Sequence, residues 1–310
     1  MPDAPTKVAL IGFGKVAREQ HMPAIAGNPS FDLVGVADPV GSSADLPFFP
    51  NLAAMLNDGL RVDAVSICTP PAMRTGIAQE ALKSGCHVLL EKPPAAVPSQ
   101  LVALADLARR SSRGLYASWH SRETSCVDLA QEWLVDRRID QVEIFWREDI
   151  RKWHPGQNWL LARGGLGVFD PGINAIAILT EVLPCSVWAE SAEMLVPANC
   201  GSPIAATATL RCATGGHVSA DFNFLHDGPE QWDIFIAAEG HHLELRDCGR
   251  RLIIDGVEQE AAKEEKYGRI YRRFAGVVAA RKVEADVVPL SLVTDIMVIA
   301  DISPVAPFEF

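Results

Sequence analysis

Through the first 120 residues, short apolar runs alternate with amphipathic stretches in a regular order. Lys7 to Ile11, Phe31 to Ala37, Asp63 to Cys68, Cys86 to Leu90 and Leu115 to Trp119 are each too short for a helix and too apolar for a loop, which predicts buried strands. Between them, a helix is predicted from Arg18, with Glu19 and Gln20, another from Ala72 to Lys83 with its stop at Gly85, and a third over Pro98 to Arg110. Strand and helix in alternation predict a parallel, doubly wound sheet over residues 1–120. The pattern changes near residue 121. Glu123 to Arg137 has Val127, Ala130, Trp133 and Leu134 on one helical face, and the next stretch alternates as a strand, with Val142, Ile144, Trp146 and Glu148 on one side. Val187 to Met194, Ala206 to Cys212, His217 to Phe224, Trp232 to Ala238, His242 to Arg246 and Leu252 to Asp255 follow as successive strands. Gly215-Gly216, Gly240, Gly249 and Asp255-Gly256 supply the turns. Helices are expected over Ile270 to Ala280 and Leu290 to Asp301, and a charged, exposed run over 257–267. Residues 121–310 therefore read as an α+β domain with a large open, mostly antiparallel sheet.

Composition narrows the class. With 310 residues, 48% hydrophobic and 22% charged, the chain is globular and long enough for two cores. A net charge of -11 argues against nucleic acid or an anionic membrane as partner, since affinity for either rests on basic patches. The seven cysteines, at 68, 86, 126, 185, 200, 212 and 248, include no CxxC pair and no metal-ligand spacing, so no metal is expected and they read as reduced thiols of a cytoplasmic protein. Neither a leader nor a run of 18 apolar residues is present, so export and membrane insertion are not expected.

Chemistry enters at the strand ends. The first strand runs into Gly12-Phe13-Gly14-Lys15-Val16-Ala17, the GxGxxG/A pattern of a dinucleotide-binding Rossmann turn in its strand-to-helix context. Gly12 permits the tight turn, and Gly14 lets a pyrophosphate approach the amides at the helix start. Asp38, at the end of the second strand, can accept both ribose hydroxyls of NAD and would repel a 2'-phosphate by about 1 to 4 kcal/mol at about 4 Å, so NAD is expected over NADP. Thr69, Lys92 and His120 end the later strands, where open parallel sheets bind ligands.

In the second half, an inward Glu148 must find a partner, because an unpaired buried carboxylate is costly. The aromatic and ionic residues packed between Trp146 and Trp159 suit a sugar, with rings on its C–H face and polar groups on its hydroxyls. Asp170 precedes Pro171 at a helix start, which reads either as an N-cap or, with Asn174 four residues on, as two side chains facing one ligand.

The strings GFGKVA, TPP at 69–71 and EKP at 91–93 resemble the Gfo/Idh/MocA family of NAD(P)-dependent sugar oxidoreductases. The resemblance implies that Lys92 reaches the reacting carbon and the nicotinamide, that the Lys92–Pro93 bond is often cis, and that Gly12, Phe13, Gly14, Lys15, Val16, Asp38, Thr69, Pro70, Glu91 and Lys92 hold the cofactor. Two departures stand out. Arg74 occupies a position that is commonly histidine, and Asn174 replaces the histidine of an Asp-x-x-x-His pattern, removing an imidazole acid/base. With Trp119-His120-Ser121-Arg122, Trp146 to Asp149 and Trp153 to Gln157, the second departure resembles the branch that oxidises D-galactose and L-arabinose at C1. That branch implies an NAD-dependent aldose 1-dehydrogenase, making an aldonolactone from D-galactose, L-arabinose or D-fucose. Lys92 and Asp170 would handle the proton, either of them holding it at rest, and His120, Glu148, Asp149, Trp153, Asn174 and Trp232 would orient the monosaccharide. Alternatives are a dehydrogenase of glucose or inositol, or a non-catalytic sugar or NAD sensor. The family often pairs subunits through the open sheet, which implies a homodimer.

Overall fold

The computed structural model describes residues 4–41, 43, 45–263 and 265–310. The chain divides into two compact units, one formed by Met1–His120 with Glu265–Val287 and the other by Ser121–Glu264 with Val288–Phe310. A continuous second domain over 121–310 is therefore corrected: a late segment belongs with the first unit. Helix Lys266–Ala280 explains the correction. Tyr267, Ile270, Tyr271, Phe274 and Val277 recur at helical spacing and are buried in one core with Val8, Leu10, Phe31, Val36 and Leu89. Tyr267 lies in the run expected to be exposed and is instead 7% exposed.

In the first unit, β1 (Thr6–Ile11), β2 (Phe31–Ala37), β3 (Phe48–Phe49), β4 (Ala64–Ile67), β5 (His87–Leu90) and β6 (Leu115–Ala117) join the late strand Val283–Glu284 in one sheet. The order is Val283–Glu284, β6, β5, β4, β1, β2, β3, and every pairing is parallel. Chain direction across the sheet reverses between β1 and β4, so the loops after these strands open onto a crevice where ligands bind on doubly wound sheets. The strands are buried on both faces, which is why they lack polar alternation.

The second unit is built on β7 (Ile139–Arg147), β8 (Val187–Pro197), β9 (Ala205–Cys212), β10 (His217–Asn223), β11 (Gln231–Ala238), β12 (His241–Arg246), β13 (Arg251–Ile254) and β14 (Val257–Glu258). Among the described residues they form a nine-stranded sheet in the order β14, β13, β12, β11, β7, β10, β9, β8, Asp301–Val305. Two pairings, β7 with β10 and β8 with Asp301–Val305, are parallel, and the rest are antiparallel. Val142, Ile144 and Trp146 share the buried face with Ala220, Phe222, Ile234 and Ile236. Helices Val127–Leu134, Phe169–Val182 and Val288–Ile299 cover it. On the opposite face Glu143, Phe145, Ser219 and Asp221 are part-exposed. Among the described residues no helix is long and apolar enough to cross a membrane.

Candidate active site

In the first unit, the residues expected to hold a cofactor gather at the carboxyl ends of β1, β2, β4 and β5. Gly12 has φ of +90°, and a Cβ there would lie 2.9 Å from the Thr69 amide nitrogen, so both conformation and space demand glycine. A Cβ on Gly14 would meet nothing within 4 Å. Packing within the protein thus makes no demand at Gly14; what glycine leaves there is room over the loop. Phe13 and Val16 are part-buried and Lys15 is exposed. Val16 leads into a wide helical turn, Ala17–His21, continued by Met22–Ala26. The carboxylate of Asp38 ties the loop to β2, accepting from the Phe13 amide (2.7 Å) and the Val40 amide (2.8 Å). Each oxygen keeps lone-pair capacity for a further donor. Thr69 is buried and its hydroxyl has no partner among the described residues, while Pro70 is exposed at the start of helix Pro71–Lys83.

Behind these loops the 91–93 turn is held from two sides. Arg74, 5% exposed, donates from Nε to the Thr69 carbonyl (2.7 Å) and from Nη1 to the carbonyls of Glu91 and Pro93. The Lys92–Pro93 peptide is cis. Glu91, expected among the cofactor-binding residues, turns its carboxylate into the interior at 3% exposure. Its Oε1 receives the Tyr267 hydroxyl (2.7 Å) and faces His21 Nε2 (3.0 Å), and its Oε2 receives the Lys92 amide (2.9 Å). Burial alone would raise the Glu91 pKa, but the hydrogen bond and charge of His21, with the Arg74 guanidinium, hold it well below the usual carboxylate range. Lys92 is part-buried on this turn. After β6, His120 lies 6.1 Å from the Tyr267 ring, and its buried Nδ1 has no partner among the described residues. Burial, and then the positive charge of Lys266, press its pKa well below that of free histidine, so the imidazole is neutral.

In the second unit, alternation along β7 carries Glu148 inward, 3% exposed. The partner its burial requires is double: His154 Nε2 at 3.0 Å from Oε1 and Trp232 Nε1 donating to Oε2 at 2.8 Å. Trp153 and Trp232 meet edge to face, 5.0 Å between centroids, and Trp153 is anchored by its indole N–H on Glu230 (3.0 Å). Glu148, Trp153 and Trp232 therefore come together. Asp149 does not join them, since it caps the short helix Ile150–Trp153 through the Arg151 amide (2.9 Å). Asp170 lies inside helix Phe169–Val182 and not at its cap, which is Val168, so the capping reading falls away. Asp170 and Asn174, one turn apart, are 5% and 9% exposed. Gly172 between them lets the helix lie against Phe222, whose Cδ1 would be 2.6 Å from an added Cβ.

An oxidoreductase family with an NAD-binding Rossmann fold matches residues 6–118. Over 94% of its length, and 94% of the relative's, the chain is 42% identical to galactose 1-dehydrogenase of Pseudomonas fluorescens. The chain belongs to the Gfo/Idh/MocA oxidoreductase family. A crystal structure of D-galactose-1-dehydrogenase from Rhizobium etli superposes with a TM-score of 0.95 at 40% identity, covering 100% of this chain and 99% of that one. The 3-ketoreductase KijD10 of Actinomadura kijaniata, solved with NADP and TDP-benzene, shares the fold alone at 18% identity, with a TM-score of 0.83 over 97% of this chain and 99% of that one. In this Gfo/Idh/MocA protein the features a dinucleotide needs are present in the first unit: open space over Gly14, an unmet Thr69 hydroxyl and a carboxylate at Asp38 with spare lone pairs. His21, Arg74, His154 and Tyr267 hold other site residues in place without having been assigned a role from sequence. His154 was within reach of inference, because a buried Glu148 requires a partner and the first histidine after it lies six residues on.

Proposed function

We propose that the protein is an NAD-dependent aldose 1-dehydrogenase that oxidises C1 of D-galactose, and also of L-arabinose and D-fucose, to the aldonolactone. Near full-length similarity to two galactose 1-dehydrogenases carries this reading. L-Arabinose shares the ring stereochemistry of D-galactose without C6, so one pocket takes both. The bound nicotinamide supplies the acceptor for hydride from C1. Gly12, Phe13, Gly14, Lys15, Val16, Thr69 and Pro70 receive the dinucleotide, and Asp38 favours NAD because its charge opposes a 2'-phosphate. Lys92 binds the reacting oxygen and Asp170 accepts its proton, while Asn174, unable to exchange a proton, contributes hydrogen bonds only. Neutral His120 offers a ring nitrogen to a hydroxyl, and Glu148 with Trp153 and Trp232 forms a polar and aromatic wall of the kind that suits a pyranose. The protein works as a homodimer joined through the part-exposed face of the nine-stranded sheet.

The direct test mixes purified protein with NAD and a panel of aldoses and follows absorbance of the reduced cofactor. Turnover with D-galactose and L-arabinose, far slower with NADP, is expected. No turnover with either sugar overturns the substrate assignment, and equal efficiency with NADP overturns the role of Asp38.

A further inference from the structure

We propose that His21 and Tyr267 are positioning residues for Lys92, acting through the Glu91 carboxylate beneath it. In its kinetic consequences this rests on the dehydrogenase reading above; in its geometry it stands alone. A carboxylate withdrawn from water costs several kcal/mol unless donors replace its hydration. Glu91 has three: His21 Nε2, the Tyr267 hydroxyl and the Lys92 amide. The last bond fixes the peptide plane from which the Lys92 side chain departs, and Arg74 holds the carbonyl of that same peptide and the next carbonyl but one. Rotation of the turn is therefore opposed on both sides.

Glu91 is in turn fixed from elements remote in sequence. His21 Nδ1 lies 2.8 Å from the Tyr271 hydroxyl, which lies 2.8 Å from Ser66 Oγ on β4. Tyr267 and Tyr271, four apart on helix Lys266–Ala280, present both hydroxyls to one cluster. Burial would lower the His21 pKa, but Cys68, Tyr271 and Glu91 raise it well above its ordinary value, which favours a positive ring 3.0 Å from the carboxylate beneath Lys92. The other titratable or charged groups facing this pair are Arg74 on helix Pro71–Lys83, Cys68 after β4 and His120 after β6, and Lys266 on the late helix acts on His120.

Two variants separate geometry from charge. Tyr267→Phe removes one donor and no charge; kcat is expected to fall about tenfold, with KM for NAD and sugar within about twofold and the pH profile unmoved. His21→Gln removes the balancing positive charge and leaves the carboxylate, which favours the Lys92 ammonium. Its titration midpoint, read from the pH dependence of acetic anhydride labelling of Lys92 by peptide mass spectrometry with Lys282 as reference, should rise by about one unit. If His21→Gln does not fold, Glu91→Gln serves with the opposite sign, lowering the midpoint. Unchanged Lys92 labelling in a folded charge variant, or unchanged kcat in Tyr267→Phe, overturns the proposal. So does a loss confined to melting temperature. The labelling arm needs no sugar, so an absence of aldose oxidation in the wild type defeats the dehydrogenase reading while the midpoint still decides this one.

Discussion

A primary amine on a fixed turn and a carboxylate buried in the first turn of a helix are the groups proposed to move a proton. Lys92→Ala and Asp170→Ala should each lower turnover by about 100-fold or more, the ordinary yield of positioned acid/base groups, with melting temperature near that of the wild type. Losses under tenfold in both would remove them from the chemistry. One position was legible because burial of charge obliges a partner: the inward phase of Glu148, just past the end of β7, demanded one, and His154 and Trp232 provide it. Arg74 was not legible. Its work is to gather the carbonyls of Thr69, Glu91 and Pro93, and backbone acceptors leave no trace in side-chain pattern. The inward turn of the Glu91 carboxylate was not legible either, since adjacency to Lys92 in sequence says nothing about which way a carboxylate turns.

Helix Phe169–Val182 carries Asp170 and Asn174, and it can approach the sheet only because Gly172 has no side chain. Gly172→Ala would force a methyl into the Phe222 ring, so a loss of about 1 to 3 kcal/mol in unfolding free energy is expected, together with a fall in kcat as the helix shifts. Phe222→Leu in the same chain should restore part of both, measurable by denaturant melts and steady-state kinetics. Between β5 and β6, His87 Nδ1 accepts the Gly114 amide (2.7 Å), and burial with the charges of Arg113 and Arg281 holds its pKa down to about 4. The folded chain therefore refuses a proton that the unfolded chain takes up near the ordinary histidine value. Stability should fall as pH drops from about 6.5 to about 4, and His87→Gln, which keeps the acceptor, should flatten that part of the curve. Element types were readable wherever a period could repeat. Phe48–Phe49 and Val283–Glu284 are two residues long, too short for any period, and Asp301–Val305 sits where a helix was expected to end. Helix Lys266–Ala280 starts four residues before its expected Ile270, its buried stripe begins in the charged run at Tyr267, and spacing cannot say which core receives it.

A nine-stranded sheet with one helical face leaves the other to solvent or to a second subunit. On that face Phe145 and Phe235 lie 5.9 Å apart, with Arg147 over one ring at 4.6 Å and Arg246 over the other at 4.3 Å. Light scattering at micromolar concentration should report a dimer, and Phe145→Glu with Phe235→Glu should yield a monomer that remains folded; a wild type that is monomeric there would sink the assembly. The net charge of -11 is compatible with such a surface because acidic and basic side chains alternate across it.

The late segment Glu265–Val287, which completes the nucleotide-binding unit, also sets an order of events on the ribosome. When His120 emerges, the sheet still lacks its outermost strand and His21 and Glu91 still lack Tyr267 and Tyr271. At roughly 5 to 20 residues per second, the missing helix follows about 7 to 30 seconds later. The nascent first half must wait, its apolar seam uncovered, and a gene fragment cut at residue 120 would encode a protein that never receives the piece it waits for.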